Sequence, residues 1–598
     1  MTRQFVTFVT FLLLAAGGHA PLASGQNTSE TDPRAAAMSP DMWRAERRII
    51  DLHMHVEGKP ERLDRAIQIM DQAGIGVGID LGSGTVTHKP GELSEFERVK
   101  KLADEKYPGR FLHYMLLDYK GWDDPDWSAR AAEQIADGSR LGAAGLKEFK
   151  RLGLVLRDGH GKLIKIDDPK LDAVWTKCGE LGMPVSIHVG DPKAFWEPLD
   201  ETNERWAELK DHPNWWFGDP AKYPPRMVLL EALSRVIARH PKTTFVTVHF
   251  ANNAEDLEWV DENLAAHGNM MADIAARIPE VGRHDPEKVR ELFLKYPNQF
   301  VFGTDFQVHN RLILGSAGDD ERPTNTDGYI FFQKHWRFFE TSDRDWAHMT
   351  PIQGPWTISS VNLPAAALRK LYFDNARKLL AKSIALPVMT AHHIERDFAP
   401  DGKLNEREWA TATPARIEYD SGDVTARPEL STAVRALWSD QFLYLAYECP
   451  YTAISNADPA GRPTEAGKER LGLWDYDVVE AFVASDPENV ARYSEYEWAP
   501  SGEELDLRLD AGTKDFEWSS KMESVVVVDD ERKIWRVEVR IPLAALADTA
   551  PQAGTRWRIN LYRHDRANNA FLAWNPTLTQ TFHTSEKFGW LEFADGEK

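Results

Sequence analysis

Two histidines one residue apart, in Asp51-Leu52-His53-Met54-His55, are where chemistry first becomes legible in this chain. If the segment is a strand, residues two apart share a face, so His53 and His55 can reach one metal ion together. Taken alone, such a pair is as readily a packing or hydrogen-bonding feature. Four more polar residues end apolar runs of the same kind. They are Lys147 after Gly145-Leu146, His188 after Val185-Ser186-Ile187, His249 after Val246-Thr247-Val248, and Asp305 after Phe302-Gly303-Thr304. A lysine, lone histidines and an aspartate at the ends of buried runs are costly without partners. A shared ion would satisfy most of them. Imidazole and carboxylate ligands suit Zn²⁺, which ionises a bound water near neutral pH when one coordination position stays open. Arg277, after Asp273-Ile274-Ala275-Ala276, adds a guanidinium suited to bidentate capture of a carboxylate on a substrate; a structural ion pair is the alternative.

These residues need a scaffold that brings distant strand ends together. Short apolar runs at 49–55, 75–81, 111–119, 144–149, 185–189, 244–250, 270–275 and 300–306 alternate with helical patterns such as 62–73, 93–105, 169–181, 227–239 and 286–295. Strand–helix alternation implies a parallel sheet with helices outside it, and eight such units predict a closed (β/α)8 TIM barrel. Each polar residue above then lies at the C-terminal end of its strand, the end where barrel sites form. Long connections at 190–225 and 307–363 leave the same end and are expected to form lids or pocket walls. Within the first, Trp215-Trp216-Phe217 either stacks on a sugar face or packs the loop down, and Asn203–Trp206 either lines the pocket or ties the loop in place. A helix at 364–383 closes the barrel region, 45–383. From 390 to 596 the texture changes to alternating strands and turn clusters, which predicts an all-β sandwich as a second domain.

Composition narrows the partners. A formal net charge of −22 repels phosphate backbones and anionic lipid, so neither nucleic acid nor a membrane surface is expected to bind. Residues 1–25 read as a signal peptide: Arg3, a short apolar run from Phe5 to Ala16, then Ala23-Ser24-Gly25. The run is too short to span a bilayer, and an N-terminal anchor is the alternative. The mature protein is expected outside the cytoplasm, secreted or periplasmic. Only Cys178 and Cys449 are present, so no framework of disulfides is available and stability must come from large cores.

The ordered set of mouth residues, with Gly303-Thr304-Asp305 and the run Leu371-Tyr372-Phe373-Asp374-Asn375-Ala376-Arg377, resembles the amidohydrolase superfamily over about residues 48–382, in its amidohydrolase-related, metal-dependent branch. That resemblance implies that His53, His55, His188 and Asp305 ligate one divalent ion, zinc by preference. It implies that His249 either binds a second ion or stabilises a substrate oxyanion, and that Asp305 moves the proton of the attacking water. Lys147 is either carboxylated between two ions or a substrate-binding or structural lysine. The reading favours one ion and leaves two open. The implied activity is hydrolysis of an ester, lactone or amide of a small, sugar-derived substrate. Non-oxidative decarboxylation is the alternative within the branch, and a non-catalytic exported glycan-binding protein is the alternative outside it.

Downstream, Asp401–Trp409, Leu437–Leu445, Asp475–Glu480, Trp535–Leu543 and Phe588–Phe593 fall in an order that resembles the family 9 carbohydrate-binding modules over about 392–595. The resemblance implies a carbohydrate partner. Trp474, Trp498 and Trp574 are the candidate stacking faces, and a purely structural domain is the alternative.

Overall fold

The computed structural model describes residues 39–456 and 469–596, so the expected signal peptide lies outside the described residues. Strand β1 (Ile49–Val56) is buried except at His55. It pairs in parallel with β2 (Ile75–Asp80), and the ladder runs on through β3 (Phe111–Leu116), β4 (Gly145–Glu148), β5 (Val185–Ile187), β6 (Phe245–Thr247), β7 (Met270–Asp273) and β8 (Phe300–Val301). Helices that include Pro60–Ala73, Glu95–Lys106, Trp127–Arg140, Asp172–Leu181, Arg226–Arg239 and Pro286–Lys295 cover the outside. Their ends follow local chemistry. Ser94 and Glu97 form a capping box at the start of Glu95–Lys106, and Gly74 takes the left-handed conformation (φ 83°) that stops Pro60–Ala73.

The expected eighth strand, 300–306, is broken in two. Its first part, β8, pairs with β7. After Gly303-Thr304-Asp305 the chain resumes as β9 (Phe306–Val308), which pairs with β1. Leu52 N–H donates to the Phe302 carbonyl (2.9 Å) and Asp305 N–H to the His53 carbonyl (2.8 Å), so the break itself closes the barrel against β1. Asp305 has a φ of 60°, a left-handed conformation that interrupts the strand. The expected sixth strand also ends early: after β6, residues 249–252 have φ values of 58, 55, 59 and 59°. The 307–363 connection is no bare loop, since it carries the helix Asn325–Glu340.

In the C-terminal domain, Val388–His393 runs parallel to both Thr432–Trp438 and Gly589–Ala594, an exception to the expected antiparallel pairing. The other long pairings are antiparallel, among them Val478–Ala484 with Arg492–Trp498 and Arg556–Asp565. Val479, Ala481 and Val483 face the inter-sheet core with Tyr496 and Trp498, while Glu480, Phe482 and Glu495 alternate onto the opposite face.

The sandwich docks on the N-terminal end of the barrel strands. Arg48, immediately before β1, pairs with Glu418 of the sandwich. Arg369 Nη2 lies 2.9 Å from the same carboxylate, and Tyr419 donates its hydroxyl hydrogen to Asp374 (2.9 Å). Arg416 pairs with Glu46 at 2.8 Å. A cavity of about 540 Å³ beside this junction is lined by the loops ahead of β5, β6 and β7 and by Val424, Thr425 and Ala426 of the sandwich.

Candidate metal centre

The opposite end of the barrel opens into a cavity of about 580 Å³ whose lining is drawn wholly from barrel residues, among them His53, His55, Lys147, His188, His249, Arg277 and Asp305. The strand ends therefore bring together every mouth residue expected from the sequence. His53 Nδ1–H donates to Asp273 Oδ2 (2.7 Å), which fixes the tautomer and leaves Nε2 bare. That nitrogen lies 3.7 Å from Asp305 Oδ1, and His55 Nε2 lies 3.4 Å from the same oxygen. Donor atoms of His53, His55 and Asp305 all fall within 4.8 Å of one another, and so do those of His53, His249 and Asp273.

His249 projects from the left-handed turn after β6. Each left-handed non-glycine residue costs about 1–2 kcal/mol, so the turn must be held by its surroundings. Asp273 Oδ1 accepts the His249 N–H (2.7 Å) and the Ala275 N–H (3.1 Å), and Asn252 Oδ1 accepts the Val189 N–H (2.9 Å). His249 Nδ1–H donates to the Ala275 carbonyl (2.8 Å), which again leaves Nε2 free. Burial, with His188 and Arg277 nearby, holds this imidazole well below its ordinary pKa, so it is neutral and able to ligate.

His188 stands apart from both three-residue groups. Its ring meets that of His249 edge-on at 4.4 Å, but Nε2–H donates to the Gly190 carbonyl (3.0 Å) and Asp191 Oδ1 lies 3.3 Å away. Burial takes its pKa down to about 4. Lys147 is buried, and among the described residues its Nζ has no hydrogen-bond partner; it lies 5.3 Å from the Phe149 ring centroid. Burial pulls its ammonium down to about 8 against the carboxylates of Asp273 and Asp305. Arg277 donates to its neighbour's carbonyl at 2.9 Å and approaches Asp191 only to 3.9 Å, so much of its guanidinium remains for a ligand.

The residues sequence reasoning passed over are Asp273 and Asp191. Asp273 carried the same signal as the others, a carboxylate ending an apolar run at a strand terminus. Asp191 gave none, because its role depends on the fold: its carboxylate takes Lys150, which sits 4.9 Å from the Trp215 ring. Trp215 lines the cavity and stacks on His212 (4.0 Å), whereas Trp216 and Phe217 hold the loop down. Asn203 and Arg205 tie the loop as well, Arg205 through Glu208 and Glu280. Arg283 pairs with Glu204 outside the mouth.

Of the tryptophans proposed to meet sugar, Trp498 is fully buried and Trp574 nearly so, both packed in the inter-sheet core; strand alternation turns Trp498 inward, and Trp574 follows the strand Ala570–Ala573. Trp474 is 37% exposed.

Comparison with known proteins agrees with this two-part architecture. Residues 50–382 match a family model described as amidohydrolase, and residues 401–595 one described as a carbohydrate family 9 binding domain-like module. An extracellular protein of Arthroderma benhamiae is 23% identical over 198 residues, 30% of this chain and 86% of that one. The 2,6-dihydroxybenzoate decarboxylase from Rhizobium aligns at 16% identity over 56% of this chain and 98% of its own, with a TM-score of 0.31. A family 9 module from Caldicellulosiruptor kristjanssonii, solved with cellotriose, aligns at 14% identity over 36% of this chain and 95% of its own, with a TM-score of 0.24.

Proposed function

Because the chain belongs to the amidohydrolase family, we propose that it is a metal-dependent hydrolase acting on an ester, lactone or amide of a small, sugar-derived acid. The observation that carries this reading is the clustering of donor atoms within 4.8 Å of one another in two groups that share His53, one with His55 and Asp305 and one with His249 and Asp273. Such donors fit a divalent ion: neutral imidazoles with a carboxylate are a zinc set, and the unpartnered Lys147 ammonium leaves room for a second ion if it is carboxylated. One ion, held by His53, His55 and Asp305 with His188 nearby, is the simpler assignment. When bound, it would supply Lewis-acid activation of water and of the scissile carbonyl.

The chain's own residues divide the remaining work. Asp305 accepts the proton of the attacking water and returns it to the leaving group. His249, outside that ligand set, faces the oxygen on which charge develops. Arg277 anchors a carboxylate, and Lys147 adds positive charge at the cavity floor. In the sandwich, the cavity beside Trp474 is the proposed carbohydrate site. Export through residues 1–25, to a secreted or periplasmic location, completes the reading.

The test is metal content of the purified mature protein beside a His53→Ala/His55→Ala variant. About one or two equivalents of zinc in the wild type, lost in the variant, with hydrolysis of lactones or esters lost in parallel, is the expected result. Release of CO₂ from an unsaturated or aromatic acid without hydrolysis would move the assignment to decarboxylation. Glycan binding with no metal retained even after reconstitution would leave only the binding-protein reading.

Asp273 gives a second expectation. Replacing it with asparagine removes the acceptor that orients His53 and the charge that holds the His249 turn, so metal affinity should fall about 10–100-fold. Competition with a chelator measures this directly; unchanged affinity would show that the two histidines orient themselves.

A further inference from the structure

The sandwich contains a cavity of about 810 Å³ lined by Trp474, Phe571, Glu480, Glu495, Asp475, Asp420, Lys514 and Arg566, among others. Trp474 and Phe571 are exposed there, at 37% and 46%, and offer apolar faces of the kind on which sugar rings stack. The floor is unusual. Glu480 is only 3% exposed and lines the cavity, and among the described residues its carboxylate has no hydrogen-bond or ion-pair partner. Glu497, directly opposite it on the neighbouring strand, is fully buried, with neither carboxylate oxygen hydrogen-bonded. Glu495, two residues along the same strand face, leaves Oε2 without a hydrogen bond.

Among the described residues one cation, Lys514, acts on all three carboxyls, too little charge to balance them. Lys514 Nζ is 3.9 Å from Glu495 Oε2, beyond hydrogen-bonding reach, and lies 5.6 Å from the Trp474 ring centroid. Arg566 donates to the Asp475 carbonyl instead. His583 is kept neutral by burial and by Lys514, with its pKa down to about 4. Like-charged carboxylates facing one another across buried strands are destabilising. Burial and mutual repulsion push the carboxyls of Glu480 and Glu497 well above their ordinary range. A cation entering the cavity would relieve that repulsion, whereas a uronate or a sugar phosphate would add to it.

We propose that this cavity selects a sugar carrying a protonated amine, a hexosamine unit, with the ring against Trp474 or Phe571 and the ammonium directed at Glu480 and Glu495. Lys514 already shows the arrangement in part, with its own ammonium between an aromatic face and Glu495. Glu480 is a specificity residue on this account, because no other role in the fold uses its carboxylate. The inference rests on the carbohydrate reading of the sandwich and adds the charge of the ligand to it.

Calorimetric titration of the full chain with glucosamine, N-acetylglucosamine and glucose at neutral pH and low salt tests it. Glucosamine is expected to bind about tenfold more tightly than either neutral sugar, a gap that narrows as salt is added. The isosteric Glu480→Gln variant should bring the three sugars within about twofold of one another while preserving the weaker, stacking-dependent binding. Equal binding of glucose and glucosamine by the wild type would overturn the inference and leave the carbohydrate reading standing. Failure of all three sugars and of their oligomers would overturn both.

Discussion

Replacing Asp305 with asparagine is expected to lower kcat by about 10²–10⁴-fold, the range that a positioned proton acceptor supplies. The substitution keeps the side chain's size. It removes the negative charge that His53 Nε2 and His55 Nε2 approach at 3.7 and 3.4 Å, and with it the one basic oxygen shared by both rings. Gln307 donates to that oxygen at 3.0 Å, so an amide oxygen can keep the same hydrogen bond and hold the geometry. KM should change far less than kcat, because the lost interaction develops only as the proton moves. Steady-state kinetics and metal content measured on one preparation separate the two roles of the residue. A slow enzyme that keeps its metal marks Asp305 chiefly as the proton carrier. A slow enzyme without metal marks it chiefly as a ligand, and full activity would remove it from the mechanism.

The second large effect lies at the other end of the barrel. Glu418→Gln is expected to destabilise the full chain by about 3–5 kcal/mol, because the buried carboxylate is shared by two guanidinium groups, the buried Arg369 and the partly buried Arg48, that would be left without it. Asp374 still holds Arg369 (2.8 Å), but Arg48 keeps only the more distant Glu46 (3.8 Å) and Tyr419 (3.4 Å). Burial alone would raise the Glu418 carboxyl; Arg369, Arg48 and Arg416 together hold it far below the ordinary range. A group depressed in the folded state contributes its full stability above its unfolded pKa, about 4.3, and loses it as pH falls toward the folded value. Acid unfolding of the wild type should therefore steepen below about pH 4.5, and the variant should lose that component. Chemical denaturation across this range measures both, and a variant as stable as wild type at pH 7 would mean that water or a neighbour replaces the carboxylate.

Much of the site was readable because strands alternate faces and barrel sites gather at one end. His53 and His55 follow from the period of two, and Lys147, His188, His249 and Asp305 from ending apolar runs. What was hidden depends on contacts between distant segments. The break at Gly303-Thr304-Asp305 is set by pairing with β1, and the left-handed turn at His249 by a carboxylate on β7. Neither leaves a mark in local periodicity. In the sandwich, Arg492–Trp498 escaped notice for a different reason. Glu495 and Glu497 are buried on the face opposite the inter-sheet core, and Tyr493 packs on that face too, so the strand shows no single apolar side. Carboxylates on a covered face hide the usual pattern, and that same anomaly singles out the second cavity. The docking of the two domains was equally silent, since a lone Glu418 and two separated arginines carry no motif.

That docking has a bearing on how the two halves cooperate. A module fastened to the N-terminal end of the barrel strands, with none of its described residues lining the open mouth, would hold a captured chain away from that pocket. On the proposed function, the module would serve as a mooring. The barrel would then act on small molecules that diffuse past its berth, and anchoring would raise turnover through residence near their source, with no processive travel along the polymer.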